Sequence, residues 1–382
     1  MNKDKYFLFL FGIFISSLGS NAFVLTVANI LKDHGMALWF LGLFVALNRF
    51  TVFLTQTLFG HLGDQISPLK MVSFSEIGAA ISTIFLLLNV DSSGFFIKNN
   101  AYFVIFGILR IFFVSLQASS IQKISKNFDL NLKYNGKASI HLSLVSNLAL
   151  CIMGVLTFLY FKEINLKHVL IFDACTFIFN GLFIFIIPQL KTQKQHKKIK
   201  IQFNLTEYYK IHPKLFYKDL YLCIALFGAN ILNFKLLSNY INWIPILTMI
   251  FGLSGVIASS SYFASHKYHE KNIFWITLGL SVIFQGMFAN QPYVMVVLAF
   301  IRNFTYWLIL NSIAKEFMLK TDMHNYATLS SSRQGINVGI LSIGEIVTAN
   351  FNLLNIKFEN MIRGIGAFIP IYINLNNGKK HD

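Results

Sequence analysis

The chain has 382 residues, 55% of them hydrophobic and only 13% charged, with a mean hydropathy of +0.58; ordinary soluble domains carry about one-quarter charged residues, so a water-soluble fold is excluded. The formal net charge is +16, but the basic residues sit in a few loops between apolar runs, which reads as membrane topology and not as a nucleic-acid footprint. Apolar runs longer than the roughly 20 residues that cross a bilayer as helix, with none of the ten-residue alternation of membrane strands, make this an all-α membrane protein.

The opening run, YFLFLFGIFISSLGSNAFVLTVANIL (6–31), has no small-residue cleavage site behind it and is expected to be a retained first helix. Further spans are expected near residues 49, 80, 111, 149 and 178, and then near 228, 251, 281, 303, 338 and 365. With the first, centred near residue 18, they make about twelve transmembrane helices. The segment 189–218 separates them into two sets of six and carries Lys191, Lys194, Lys197, Lys198 and Lys200 in its first half. It predicts an N-terminal six-helix bundle at 1–188, a basic cytoplasmic linker at 189–218 and a C-terminal six-helix bundle at 219–382. An even number of spans then puts both termini in the cytoplasm, together with the loops 60–70 and 123–137.

An internal repeat supports the division. GILRIFFVSLQASSIQK (107–123) laid over AFIRNFTYWLILNSIAK (299–315) matches Arg110 with Arg302, Ser120 with Ser312, Ile121 with Ile313 and Lys123 with Lys315, all at a shift of 192 residues. A shift of half the chain is what duplicated six-helix halves produce. Cys151, Cys175 and Cys223 all fall inside apolar runs, without metal-ligand spacing, and are read as packing residues.

The most polar punctuation in the first hundred residues is GHLGDQISPLK (60–70), between the second and third spans. Its Gly60, Leu62, Asp64 and Lys70 resemble the signature loop of the major facilitator superfamily. The likeness is incomplete: Gln65, Ser67, Pro68 and Leu69 stand where the family usually has an Arg, a Gly and two more basic residues. The matching loop of the second half, SYFASHKYHEKN (261–272), keeps Lys271 but has Ser265 at the acid position. ISSLGSNAFVLTVANIL (15–31), FDACTFIFNGLFIF (172–185) and NSIAKEFMLKTDMHNYATLSSSRQ (311–334) narrow the resemblance to the branch with enterobactin-type siderophore exporters and macrolide efflux proteins. The resemblance implies two pseudo-symmetric six-helix bundles that rock about a central cavity, in a bacterial inner membrane, working as a monomer. It also implies a gate at Gly60, Asp64 and Lys70, with Asp64 reaching the start of the eleventh span near Leu329, Ser330 and Ser331. Arg333 is expected to serve that gate.

Ionisable side chains inside spans cost roughly 2.5 to 3.5 kcal/mol each on insertion scales, so each demands a partner or a wet cavity. With the cavity lined as in the resembled family, Arg49, Arg110, Lys235 and Arg302 become substrate-binding candidates, with Tyr306 and Trp307 as aromatic contacts. Guanidinium groups favour carboxylates and phosphates, so the expected substrate is a small anion. Proton coupling requires a carboxylate that loads from one side and releases to the other; Glu345 is the first candidate, followed by Glu76 and Asp173. Glu76 and Asp173 also have structural readings, as partners of Arg49 or a loop lysine and of Lys167. His141 is read as a core histidine that could reach the cavity.

No phosphate-cradling glycine loop, HExxH, clustered metal ligands or nucleophile elbow is present, so neither an enzyme nor a cofactor or metal is expected. The expectation is a secondary active transporter, an antiporter exporting a carboxylate-type siderophore against protons. The alternatives are an importer, a drug or macrolide efflux pump, and a membrane receptor that does not transport. The partners expected are membrane lipid, the anion and protons, without nucleic acid.

Overall fold

The computed structural model describes residues 3–33, 38–91, 97–160, 165–186, 205–226, 243–264, 272–288, 291–350, 361 and 363–365. They form helices α1 (Lys3–Asp33), α2 (Leu38–Phe59), the single turn α3 (Leu62–Gln65), α4 (Pro68–Leu88), α5 (Asn100–Leu132), α6 (Ala138–Leu159) and α7 (Leu166–Ile186). After these come α8 (Leu205–Ile211), α9 (Pro213–Leu226), α10 (Trp243–Ala264), α11 (Asn272–Met287), α12 (Pro292–Lys320) and α13 (Tyr326–Asn350). No strand occurs among the described residues. Seven of these helices are long and apolar enough to cross a membrane by length and composition. The expected seventh span centre, near 228, and Lys235 lie outside the described residues, and of the expected linker the described part, from 205, is helical in α8 and the start of α9.

Local chemistry sets the helix ends. Asn99 caps α5 by accepting from the Tyr102 backbone N–H at 3.1 Å, and Pro292 opens α12 at a position whose N–H has no helical partner. The same 192-residue shift carries Asn100 onto Pro292, so the helices that hold Arg110 and Arg302 start in register. Between α5 and α6 the chain turns through Lys133 and Asn135, both with positive φ, and Gly136 at φ 81°. Asp129 holds that turn, accepting from the Gly136 and Ala138 backbone N–H groups at 2.8 and 3.1 Å.

Within the first half, α4 packs on α5 and α7, and α1 on α6 and α7. In the second, α12 packs on α10 and α11. The halves meet mainly through α6 with α10 and α2 with α13. The α6–α10 seam is backbone to backbone: a Cβ at Gly252 would lie 2.5 Å from the Cys151 Cα, and one at Gly154 2.7 Å from the Met249 Cα. Small residues that let helices approach this closely replace the missing hydrophobic drive of a lipid environment.

At the Asp64 end one apolar cluster bridges the halves, joining Ile124 and Phe128 of α5 to Ile309, Ile313 and Phe317 of α12 and Tyr326 of α13. The outer faces are apolar and open, as lipid-facing surfaces are: Phe74, Leu88, Ile105 and Leu159 are each about 60% exposed.

Candidate functional site

A cavity of about 320 Å³ opens between α1, α4, α5 and α6, and Trp307 of α12 closes it from the second half. Ser16, Ser20 and Asn21 line it from α1, Gln117 from α5 and Asn147 from α6. Among the described residues of the wall the one acid is Glu76 of α4, and none is a Lys, Arg or His.

Glu76 is wholly buried. Ser16 Oγ donates to both of its oxygens, at 2.9 and 3.1 Å, and Asn180 Nδ2 of α7 donates to Oε1 at 2.6 Å. Gly12 makes the Asn180 contact possible, since a Cβ there would strike the Asn180 amide. Neither a loop lysine nor Arg49 pairs with Glu76, and among the described residues it has no ion-pair partner. The donors that hold it are neutral, so the carboxylate is positioned without being tied to a fixed positive charge.

Asp173 and Arg110 are the opposite case. Arg110 Nε and Nη2 grip the two Asp173 oxygens at 2.8 and 3.0 Å, with Thr83 Oγ1 donating at 3.4 Å. Phe23 and Phe177 flank the guanidinium at 4.2 and 5.1 Å. Gly19 leaves room for the acid: a Cβ there would meet Asp173 Oδ1 at 2.9 Å. The expected Lys167 partner of Asp173 is therefore replaced by Arg110, and the expected place of Arg110 in the cavity wall by a seat among α1, α5 and α7. A guanidinium deep in apolar surroundings costs least beside a carboxylate of matched geometry, and the repeated arginine finds one in its own bundle. Arg302 is likewise drawn into its own half: Nη1 donates to Gln285 of α11 at 2.8 Å and the guanidinium lies 5.6 Å from the Phe251 ring.

The end of the molecule that carries 60–70 is built from charges set against helix termini. Asp64 accepts from the Thr328 backbone N–H at 2.8 Å, from Thr328 Oγ1 at 2.6 Å and from the Ala327 N–H at 3.4 Å, in the first turn of α13. Its cation is Lys123 of α5, at 2.8 Å, and not Lys70, which is exposed. Gly60 is packed on Ser331 so closely that a Cβ there would collide with it. Lys126, three residues beyond Lys123, donates to the Met318 and Thr321 backbone carbonyls, the C-terminal end of α12. Arg333 forks onto Asp219 of α9 with two bonds of 2.6 Å, and Tyr209 of α8 donates to the same carboxylate at 2.8 Å. Burial and the adjacent Asp219 push the Tyr209 phenol well above the usual tyrosine range, which keeps it a donor.

Arg49 and Tyr306 sit where the halves face each other: Arg49 of α2 is within electrostatic reach of Tyr306 of α12 and Cys223 of α9. His141 is bonded to the Tyr6 hydroxyl at 3.0 Å, a core contact between α1 and α6. Glu345 is on α13, and its side chain lies outside the described residues, as does Lys235.

Two halves meet along paired helices, and a mostly apolar cavity carrying a few polar side chains lies beside their seam. The Major Facilitator Superfamily model matches residues 9–318 of the sequence. The chain belongs to the major facilitator superfamily. Its fold is similar to that of the human organic anion transporter MFSD10 (TETRAN), with a TM-score of 0.77 over 96% of this chain and 98% of that one, at 13% sequence identity. No curated protein matches it in sequence. As a major facilitator it is a multi-pass membrane transporter of small molecules.

The residues of this facilitator that sequence reasoning passed over are Ser16, Gln117, Asn180, Lys126 and Asp219. Gly12 and Gly19, seven residues apart on α1, carried a usable signal: they share one helical face and mark where α7 brings Asn180 and Asp173 close. Lys126 also had one, since the 192-residue shift that relates the halves pairs it with Met318, the residue it touches.

Proposed function

We propose that this protein is a proton-coupled secondary transporter working by alternating access, with Glu76 as the coupling carboxylate. The observation that carries the reading is the pair of buried acids: Asp173 is held by Arg110, whereas Glu76 lines a cavity and is held by neutral donors only. A carboxylate that exchanges protons needs access, fixed geometry and no permanent counter-charge. Glu76 has the last two, and it borders the cavity through which a proton could reach it. Export is the direction we propose, on the likeness of 15–31, 172–185 and 311–334 to exporter segments.

The substrate is a small polar molecule seated between the hydroxyl and amide side chains of the first half and Trp307 of the second. A second reading, the anionic substrate, is favoured by one observation, that the charge of Arg49 on α2 is within electrostatic reach of Tyr306 on α12. A carboxylate-type siderophore would be bound there and not beside Glu76.

The test uses purified protein in proteoliposomes and a substrate found by thermal-shift screening of small amines, polyols and carboxylates. Glu76→Gln should still exchange labelled for unlabelled substrate at saturating concentration, and should lose accumulation driven by a pH step. Accumulation by Glu76→Gln at the wild-type level would refute the role. Arg49→Ala abolishing exchange of a carboxylate would favour the second reading.

A further inference from the structure

The cavity is short of donors. Ser16 donates to Glu76 Oε2 at 3.1 Å and the Gln117 amide adds a side-chain bond to the carboxylate, which with Asn180 leaves room among its roughly four acceptor positions. Gln117, only 6% exposed, presents Oε1 with no hydrogen-bond partner. Two acceptors facing one cavity call for a ligand that brings N–H groups.

The charge balance points the same way. Arg110 and Asp173 pair with each other, and Arg110 Nη2 reaches the cavity residue Ser20 Oγ at 3.4 Å. Among the described residues of the wall there is no Lys, Arg or His, and Glu76 is the one of them that can carry a formal charge. When Glu76 is ionised, an anion in this space faces a like charge in a low-dielectric surrounding. A cation would meet the carboxylate, the Gln117 carbonyl and the indole of Trp307, whose ring face attracts positive charge. A volume of about 320 Å³ is at the lower end of small-molecule sites and much too large for a bare metal ion. No group of side chains suited to holding a metal occurs among the described residues.

We infer that the Glu76 cavity selects small organic cations, with a primary ammonium donating to Glu76 and Gln117. The inference deepens the transport reading above and rests on it for its biological meaning, but it concerns binding alone. It inverts the expectation drawn from the family resemblance, in which four intramembrane cations lining the cavity implied an anionic ligand.

The experiment is a binding comparison on two skeletons, read by tryptophan fluorescence and thermal unfolding in nanodiscs at fixed pH without a gradient. The first trio is putrescine, 1,4-butanediol and succinate; the second is 2-phenylethylammonium, 2-phenylethanol and 3-phenylpropanoate. The ammonium member of at least one trio should bind ten-fold or more tightly than its carboxylate, and Trp307→Phe should remove the fluorescence change. Glu76→Gln and, independently, Gln117→Met should each weaken ammonium binding at least ten-fold, while Glu76→Asp keeps the preference. Equal or tighter binding of the carboxylates, no binding of either ammonium, or an unchanged preference in Glu76→Gln would each overturn the inference. Because no proton gradient is present, failure of proton coupling in proteoliposomes leaves this result standing, and the reverse also holds.

Discussion

Replacing Asp64 with Ala should open the end of the molecule it closes. Asp64 makes two kinds of contact, and only one kind depends on closure. Lys123 belongs to the same half, so that ion pair survives when the halves part. The bonds to the Thr328 N–H at 2.8 Å and Thr328 Oγ1 at 2.6 Å cross between halves and are lost on opening. Charge-assisted hydrogen bonds contribute about 1.5 to 3 kcal/mol each, and an acid at a helix N-terminus adds about 0.5 to 1. Rehydration of Asp64 in the open form offsets part of this sum, leaving about 3 kcal/mol, or roughly two decades in the closed-to-open ratio. Asp64→Asn keeps an acceptor without the charge and should move the ratio about ten-fold. The assay is a spin-label distance distribution between Gln65 and His324, both exposed at this end, in a background without Cys151, Cys175 and Cys223. Wild type should give one dominant short distance and Asp64→Ala a second, longer population of comparable size. An unaltered distribution in Asp64→Ala would mean that the apolar cluster beneath, and not this acid, closes the end.

Two further outcomes follow from the charge pairs. Arg110→Ala or Asp173→Asn should each destabilise the protein by about 3 to 5 kcal/mol, because each leaves a buried group without its partner, whereas Arg110→Met with Asp173→Leu should recover most of the loss; thermal unfolding in detergent reads this, and single variants as stable as wild type would remove the bracing role. Lys126→Met should shift the same spin-label distances toward the open population about ten-fold, since it uncaps the Met318 and Thr321 carbonyls, and its effect should add to that of Asp64→Asn because the two act on different helices.

The architecture was legible because bilayer physics leaves few options. Every long apolar run had to be a helix, and the repeat at a shift of 192 pointed to two related halves. Asp64 was legible to within one turn: Leu329 to Ser331 were expected and Ala327 with Thr328 are found, because a carboxylate finds the first free amides of a helix and those lie at its first turn. The sorting of intramembrane charges was much less legible. Arg110 and Asp173 are 63 residues apart, and nothing in their local sequence says that α5 and α7 face each other at that height. Glu76, six residues from Lys70, was open to two readings, a proton carrier or the partner of a loop lysine or Arg49; its side chain is held by Ser16 and Asn180 instead of either cation.

The two halves share a fold and divide the work unequally. The repeat put an arginine at the same place in each, yet Arg110 faces a carboxylate and Arg302 an amide, Gln285. With Asp173 committed to Arg110, the first half can afford a second buried acid, Glu76, held by neutral donors at the cavity wall. The second half contributes Trp307 to that wall, and Thr328 and the carbonyls of Met318 and Thr321 to the contacts that close the other end. Those contacts are main-chain dipoles at helix ends, which stay fixed within the second half as it moves, and the charges that read them, Asp64 and Lys126, belong to the first. Glu76, Asp64 and Lys126 thus all lie in the first half, so in the proposed function a proton or cation arriving at Glu76 acts on the half that also holds the latch charges. Coupling between cavity and closure then needs no long relay across the interface: a tilt of the first half about α6 and α10 moves Glu76 relative to Trp307 and Asp64 relative to α13 in a single motion.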